Sequence, residues 1–356
     1  MATYEILILG ASYGSLLASK MLFAGHKVTL ICLPHEVEAI NAEGFRVAMP
    51  IKGGSEVLLD SRKTPGTLRA AAPGDVDPKD FDLIALAMQE PQYRSPGVRE
   101  LLDAVAKSGK PCMSIMNMPP LPYLRRIPGL DCSKLDHCFA DASVWANFDP
   151  GLMSLCSPDP QAIRPPDKPV NFLQVTLPTN FKAARFVSEP FTQILRQLQS
   201  EIESIRYDTG SAKIDLPVKL KVHDSIFVPL AKWPMLITGN YRCVQPEAAR
   251  MIKEAVHDDI GASAAMYAWV KDVCLTLGAA EADLVPFEKY AAAAHGLVRP
   301  SSAARALFAG APNIERVDRL VQAVAAQQGK ANPALDNIVA MVDARLEKNR
   351  AAAAAR

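Results

Sequence analysis

The opening stretch of the chain constrains the fold more than any other, because it contains one complete βαβ unit. Residues 5–9 are a short apolar run that stops at a glycine, as a strand buried on both faces does. Apolar residues recur at helical spacing through residues 15–23, and Gly25 ends this helix. Residues 27–32 form a second apolar run that is rich in β-branched residues. A glycine-containing turn that leads into a helix N-terminus is a standard place to hold a pyrophosphate.

The turn between the first strand and its helix departs from the dinucleotide fingerprint G-x-G-x-x-G in two respects. Ser12 stands where a second glycine would let the backbone approach the phosphates, and the spacing from Gly10 to Gly14 is one residue short. One interpretation is therefore a βα turn that binds no nucleotide. The strand–turn–helix context favours the other interpretation, in which the turn contacts a dinucleotide. The candidate contacts are then Gly10, Ala11, Ser12, Tyr13, Gly14 and Ser15.

Composition argues against several classes of protein. The 356 residues exceed one ordinary core, which predicts two domains, and a net charge of +1 gives no reason to expect a nucleic-acid partner. The seven cysteines contain no C-x-x-C pair, so we expect neither a disulfide framework nor a bound metal. No apolar run reaches the roughly 18 residues that span a bilayer, so no membrane association is expected. Because Tyr4 already enters a strand, we expect no signal peptide and a cytoplasmic location.

Further strands alternate with helices beyond this unit, and the alternation predicts a parallel, doubly wound sheet. Residues 81–88 form a buried strand that runs into Met88 and Gln89, and residues 111–116 form another that closes before Asn117. Loops at the carboxyl ends of such strands collect ligands. Met88, Gln89 and Asn117 are therefore further candidates for cofactor contact.

The pattern changes along the chain in a way that predicts two domains of different class. Two more strands are expected at residues 137–148 and 170–178, whereas from about residue 223 nearly everything has helical periodicity. We therefore predict an α/β, Rossmann-type domain over residues 1–210 and an all-helical domain over residues 211–356. A ligand cleft is expected between them.

The opening unit resembles the ketopantoate reductase family in its segments AGHKVTL and EVEAINAEGFRV. A strand that closes on Asn117 is also similar to that family, as is a helical second half that opens with a lysine-bearing helix. The resemblance covers most of the chain in order and is most specific over residues 4–47. It implies a fold like that of 6-phosphogluconate dehydrogenase, an NADP(H) cofactor, and reduction of a 2-oxo acid to a 2-hydroxy acid.

The resemblance assigns roles to four residues of the second half. Lys232 matches the catalytic lysine, and such a cation would protonate and stabilise the oxygen on which charge develops. Asn240 matches a substrate-binding asparagine, about 80° round a regular helix from Lys232. Ser301 and Ser302 resemble a serine pair that meets the substrate carboxylate. Two alternatives stay open, because the lysine could extend to solvent and the serines could cap a helix.

The position of the family's catalytic glutamate is ambiguous in this chain. Depending on a gap of one or two residues, it matches Glu315 or Asn313. Glu315 would keep the catalytic carboxylate, whereas Asn313 would replace it with an amide that binds substrate.

The cofactor contacts of the family are only partly present. The arginine that clasps the 2′-phosphate of NADP falls at Leu33, and a lysine after the next strand falls at Met88. No acidic residue follows the second strand directly to hold an NAD ribose, and His35 and Arg46 are the nearby cations. We therefore expect weak discrimination, with NADP(H) favoured slightly over NAD(H).

Three hypotheses for function follow. The first is an NAD(P)-dependent reductase that acts on a 2-oxo acid or related carbonyl. The second is an opine-dehydrogenase-like enzyme that reduces an imine formed from an amino acid. The third is a protein that keeps the fold but has lost nicotinamide redox chemistry, which the short turn with Ser12 would allow.

The C-terminal helices suggest a homodimer, because this family often pairs through its helical domain. Their apolar stripe includes Val317, Leu320, Val321 and Val324. Such a stripe is equally typical of a face that packs within the same chain.

Overall fold

A computed structural model describes residues 2–355 of the chain. The strands are β1 (Glu5–Leu9), β2 (Lys27–Ile31), β3 (Arg46–Pro50), β4 (Glu56–Asp60), β5 (Thr67–Ala71), β6 (Leu83–Leu86), β7 (Cys112–Ile115), β8 (Met153–Ser157), β9 (Gln161–Ile163), β10 (Phe172–Leu177), β11 (Phe181–Ala184), β12 (Arg206–Asp208), β13 (Lys213–Asp215) and β14 (Leu220–His223). The α-helices are α1 (Gly14–Phe23), α2 (Pro34–Glu43), α3 (Val98–Lys107), α4 (Leu121–Leu124), α5 (Glu189–Ser204), α6 (Lys232–Met235), α7 (Ile252–His257), α8 (Ile260–Thr276), α9 (Phe287–Ala294), α10 (Ser302–Phe308), α11 (Val317–Gln327) and α12 (Pro333–Ala354).

These elements form two compact units that alternate along the sequence. Unit 1 contains the chain up to Met88, together with Gln92–Tyr123 and Val144–Ile226. Unit 2 contains Gln89–Pro91, Leu124–Ser143 and the chain from Phe227 onward. The last change of unit falls 16 residues beyond the boundary at 210 expected from the sequence pattern, because β14 pairs with β11 in the large sheet of unit 1.

The large sheet of unit 1 has eight strands in the order β14-β11-β8-β7-β6-β1-β2-β5. The six strands from β5 to β8 are all parallel to their neighbours, in the arrangement 3-2-1-4-5-6 of a dinucleotide-binding sheet. The strand β11 then joins β8 in the antiparallel direction. The predicted α/β, doubly wound class is therefore confirmed. The strand order reverses between β1 and β6, which is where ligands of such sheets bind.

A second sheet in unit 1 joins two distant parts of the sequence. Its order is β4-β3-β10-β9, so that the hairpin β3–β4 meets the hairpin β9–β10. The contact between them is the parallel pairing of β3 with β10, for example Val47 with Leu173. Within this sheet, the chain that leaves β9 at Arg164 reaches the start of α2, where Arg164 contacts Glu36.

Unit 2 consists of helices and turns, as the sequence pattern predicts. Its first helical stretch is irregular: a 3₁₀ turn (Val228–Ala231) precedes α6, which runs into a π-helical segment (Leu236–Asn240) and another 3₁₀ turn (Tyr241–Cys243). The expectation of one regular helix here is wrong. Pro234 lacks the N–H that a regular helix would use, and this helps to explain the change of geometry.

The strand expected over residues 137–148 is also wrong, because that stretch forms two 3₁₀ turns, Asp136–Cys138 and Ala142–Trp145. The carboxylate of Asp141 accepts hydrogen bonds from the backbone N–H of Ser143 at 3.0 Å and from its hydroxyl at 2.6 Å. Such local bonds compete with strand pairing.

Three kinds of feature are absent from residues 2–355. No helix there is long and apolar enough to cross a membrane. No group of three or more histidine, cysteine or carboxylate side chains is placed to hold a metal ion. All seven cysteines are free thiols.

Candidate functional site

The turn after β1 can be built only with glycine at its first position. Gly10 has φ +106°, and a Cβ atom there would lie 2.8 Å from the carbonyl oxygen of Ala87. The N–H of Gly10 donates to the carbonyl of Ile31 at 2.8 Å, which ties the turn to the end of β2. The turn therefore lies beside the carboxyl ends of β1, β2 and β6, at the reversal of strand order.

The same turn opens onto the start of α1 in a way that fits a pyrophosphate. The helix begins at Gly14, and no side chain caps it at Tyr13. Its first backbone N–H groups have no partner within the helix and carry partial positive charge. A Cβ at Gly14 would lie 2.8 Å from Ile8, so this glycine allows close packing of helix on strand, the role of the last glycine in the fingerprint. Ser12 is exposed, and Ser15 donates its hydroxyl hydrogen bond to the carbonyl of Ala11.

Two of the other cofactor candidates lie at neighbouring strand ends of unit 1. Met88 follows β6 next to Gly10, and its backbone N–H donates to the hydroxyl of Tyr93 at 3.0 Å. Asn117 follows β7 and is partly buried. Gln89 is exposed and belongs to unit 2. Unit 1 thus places the turn, Met88 and Asn117 after the carboxyl ends of the neighbouring strands β1, β6 and β7.

The end of β2 carries a charged pair that the sequence analysis missed. Leu33 is 60% exposed and offers no charge. Its backbone N–H donates at 2.9 Å to the carboxylate of Glu36, which lies in the first turn of α2. The other oxygen of Glu36 accepts from the guanidinium of Arg164, which follows β9 and is 128 residues away in sequence.

Of the two nearby cations named from the sequence, one lies at this end of β2. His35 is exposed in the first turn of α2. Arg46 begins β3, beyond the far end of α2 and so about 15 Å along the helix from Leu33.

In unit 2, the π-helical segment changes the direction in which Asn240 points relative to Lys232. A regular helix would place these residues about 80° apart. A π segment adds one residue to a turn, which moves Asn240 back by about 100° and so to within about 20° of the lysine direction. Consistent with this, Lys232, Met235 and Asn240 are partly exposed whereas the other residues from 231 to 239 are buried.

Ser301 is the N-cap of α10, which was the structural alternative for this residue. Its hydroxyl accepts from the N–H of Ala304 at 3.1 Å and donates to the backbone carbonyl of Asn240 at 2.7 Å. Both bonds fix the start of α10 against the π-helical segment. Ser302, in contrast, is exposed.

The structure separates the two candidates for the family's glutamate. Asn313 is partly exposed, and its side-chain oxygen accepts at 3.2 Å from Arg350, an exposed residue of α12. Glu315 is only 9% exposed, and its carboxylate accepts from the backbone N–H of Glu90 at 3.3 Å. The backbone carbonyl of Glu315 accepts from the hydroxyl of Tyr241, which follows the π-helical segment. Of the two candidates, Glu315 is therefore the one whose side chain is buried.

Glu90 is a second carboxylate of unit 2 that the sequence analysis did not select. It is 2% exposed, and it accepts from the backbone N–H of Ala140 at 3.1 Å. Its position directly after Gln89, at the end of a buried strand, was the signal that could have identified it.

Fold and site together define a class of protein: a Rossmann-type unit with a glycine turn at its switch point, combined with a helical unit. No protein-family model matches the chain, and no curated protein matches its sequence. Solved structures do match. The match with 2-dehydropantoate 2-reductase from Methylococcus capsulatus covers 97% of this chain and 97% of that one, with TM-score 0.65 and 11% sequence identity. The likeness extends over whole chains, and the chain shares the fold of ketopantoate reductases.

Two further structures have the same fold. D-Mandelate dehydrogenase, solved with NADH and anilino(oxo)acetate, matches with TM-score 0.65 and 14% identity over 97% of this chain and 99% of that one. A dimeric ketopantoate reductase from Staphylococcus aureus matches with TM-score 0.59 and 10% identity over 97% and 99%. The resemblance expected from the opening βαβ unit is thus confirmed at the level of the fold.

Proposed function

We propose that the chain is an NAD(P)-dependent oxidoreductase of the ketopantoate reductase type, which reduces a 2-oxo acid or related carbonyl to the hydroxy compound. The observation that carries the proposal is the turn from Gly10 to Gly14, which lies at the switch point and opens onto the uncapped N-terminus of α1. Support comes from the fold shared with D-mandelate dehydrogenase, which was solved with NADH and an oxo acid, and with ketopantoate reductases.

Each residue of unit 2 has a proposed task at the substrate. A bound nicotinamide would supply the hydride. The ammonium of Lys232 donates a proton to the carbonyl oxygen and stabilises the charge that develops there. The amide of Asn240 orients the substrate from the same face of the helical stretch, and Ser301 holds the Asn240 backbone. Ser302 offers an exposed hydroxyl to the substrate carboxylate.

We assign the catalytic carboxylate to Glu315 rather than to Asn313. Glu315 is buried and its carboxylate accepts from the backbone N–H of Glu90, whereas Asn313 contacts Arg350, an exposed residue of α12. A buried carboxylate can hold and orient a proton donor or substrate hydroxyl, which an amide paired with a surface arginine does not.

The binding test is a fluorescence titration of the intact chain with NADH and with NADPH. Saturable binding of either, with quenching or energy transfer from the tryptophans, is the expected result. If neither cofactor binds at up to millimolar concentration, the oxidoreductase proposal is rejected and a protein without nicotinamide chemistry remains.

The catalytic test compares Lys232→Met with Lys253→Met, an exposed lysine on α7 that serves as the matched control. We expect Lys232→Met to lower kcat for a 2-oxo acid by about 10²- to 10⁴-fold, because a general acid typically contributes that much, while cofactor binding is unchanged. Lys253→Met should keep full activity. Reduction that requires an added amine would instead indicate imine chemistry, and equal activity of both variants would remove Lys232 from the mechanism.

We also propose that the chain forms a homodimer, through the outer face of α8 in unit 2. The stripe named from the sequence is fully buried within unit 2, at Val317, Leu320, Val321 and Val324, so it serves as an internal face. In α8, by contrast, exposed positions from Ile260 to Ala268 carry no charge, and Ile260 is 47% exposed. A second copy is the proposed occupant, supported by the dimeric ketopantoate reductase of the same fold.

A further inference from the structure

We propose that Arg164 supplies the contact to the 2′-phosphate of NADP(H) and that Glu36 is the positioning residue that holds it there. This inference rests on the proposed function, since it concerns the cofactor of the same site. It names a cation from a part of the chain that does not follow β2 in sequence.

The topology of the large sheet fixes where the adenosine ribose would lie. In a sheet of this topology, the adenosine ribose of a dinucleotide lies beyond the carboxyl end of the strand that follows the glycine turn and its helix. That strand is β2, which ends at Ile31 and is joined to the turn by the hydrogen bond from Gly10. Leu33, two residues after the end of β2, is exposed and uncharged.

The fold itself brings a cation to this place. The hydroxyl of Tyr13, in the glycine turn, donates to the backbone carbonyl of Pro160 at 2.6 Å. The chain then runs along β9 for a few residues, at most about 13 Å, and reaches Arg164 at its end. The pairing of β9 with β10 fixes this path at its other side.

The pair of Arg164 and Glu36 leaves part of the guanidinium available to a ligand. The Arg164 side chain is 26% exposed, and a guanidinium has five N–H donors, so its contact with Glu36 leaves donors that can reach a ligand. Its neighbour Cys32 is affected by both charges: burial is the main cause that raises the pKa of this thiol to about 12, Glu36 raises it further and Arg164 lowers it. Arg164 and Glu36 therefore both act at the end of β2.

Three charges or dipoles act on a phosphate at this place. A guanidinium binds a phosphate with short, charge-assisted hydrogen bonds, often in pairs. The N-terminus of α2 adds a favourable dipole at the same place, and the carboxylate of Glu36 opposes the phosphate. The arrangement therefore favours a 2′-phosphate, but less strongly than an arginine without an acidic partner would.

The test measures dissociation constants by calorimetry for NADPH and NADH, and for the fragments 2′,5′-ADP and AMP. We expect Arg164→Ala to weaken NADPH and 2′,5′-ADP by about 10- to 100-fold, as the loss of a charge-assisted contact does, with NADH and AMP within about 2-fold. Arg164→Lys keeps the charge but not the paired geometry, and should give an intermediate loss. Glu36→Gln keeps a side chain that can cap α2, and should tighten NADPH by a few-fold.

Arg196→Ala is the matched control, because Arg196 forms a surface ion pair with Asp224 in the same unit. It should change none of the four constants. Equal weakening of NADPH and NADH in both Arg164 variants, no change in either, or a wild-type chain that binds NADH but not NADPH would each overturn the inference. A wild-type chain that binds neither dinucleotide would instead reject the proposed function, and the fragment constants would still decide the role of Arg164.

Discussion

Lys20 lies in the interior of unit 1, and no carboxylate among residues 2–355 pairs with it. It lies in α1, is 1% exposed, and donates to the backbone carbonyl of Pro217 at 2.6 Å. Burial is the main cause that lowers its pKa from the ordinary 10.5 to about 7, and the nearby charge of Lys219 lowers it further. The residue after Pro217, Val218, has φ 63°, a conformation that β-branched residues rarely adopt. Lys20 thus holds a strained segment at an electrostatic cost.

The first residue-scale prediction concerns pH. The unfolded chain binds a proton at Lys20 below pH 10.5, whereas the folded chain does so only below about pH 7. The free energy of unfolding should therefore fall as pH falls from 10.5 to 7, by about 1.4 kcal/mol per pH unit, and level off below. Lys20→Met should remove this slope and raise stability at pH 7 by about 2 kcal/mol. Denaturation at pH 7, 8.5 and 10 measures it.

Lys27→Met is the control for this pH dependence, since Lys27 is an exposed lysine of the same unit that pairs with Glu5 at the surface. It should leave the slope in place. Parallel curves for wild type and Lys20→Met would show that Lys20 does not titrate in the folded state as described.

Individual residues show where sequence reasoning reaches its limit. The structural roles of Gly10 in a tight turn and of Gly14 at a close contact of helix and strand could be predicted, because both belong to one local strand–turn–helix pattern. Arg164 and Glu36 could not, because their contact depends on the meeting of two hairpins more than 100 residues apart. Glu315 could be separated from Asn313 only once their partners were known.

At the scale of elements, the helical stretch around Lys232 differs most from its expectation. Apolar periodicity over residues 226–238 predicts a regular helix, and periodicity carries no signal for a π segment. Side chains outside the π segment support the irregular backbone. The hydroxyl of Tyr290 donates to the carbonyl of Met235 at 3.1 Å, and Arg242 donates to the carbonyl of Thr238 at 3.4 Å.

Gly239 provides the element-scale prediction, because a Cβ atom there would lie 2.0 Å from the hydroxyl of Tyr290. We expect Gly239→Ala to destabilise unit 2 by about 2–3 kcal/mol, since Tyr290 must move and release Met235. Adding Tyr290→Phe removes the clashing oxygen and should restore part of the loss, which a thermal-melt double-mutant cycle measures. Gly261→Ala, whose Cβ would meet nothing nearer than 3.6 Å, is the control and should be neutral or stabilising. Additive effects of the two substitutions would contradict this explanation.

At the scale of the whole molecule, the α/β class and the helical second half could be predicted, because alternating strands and helices restrict a sheet to few topologies. The second sheet could not, and neither could β11 and β14, the last two strands on one side of the large sheet. Short strands of three to six residues lack the length for a clear period, and their partners are set by long-range packing.

The proposed homodimer gives a prediction at this scale. Ala265→Glu places a charge in the middle of the exposed apolar face of α8 and should convert the dimer to a monomer, weakening association by at least about tenfold. Ala340→Glu, at an exposed position of α12, should leave the dimer intact. Light scattering at micromolar concentration reports both results. A wild-type chain that is monomeric under those conditions would exclude the dimer.

The alternation of the two units along the sequence has a consequence for synthesis of the chain. The segment Leu124–Ser143 is synthesised before Val144–Ile226, the last part of unit 1, although it belongs to unit 2. The backbone of Asp131 in this segment forms two hydrogen bonds with the side chain of Gln327, at 3.0 and 3.1 Å. Leu135 and Cys138 are buried in the complete chain, and the part of unit 2 around Gln327 is synthesised almost 200 residues later. During that interval they are exposed to chaperones and to neighbouring nascent chains, and a truncated product that ends near residue 226 would carry them permanently uncovered.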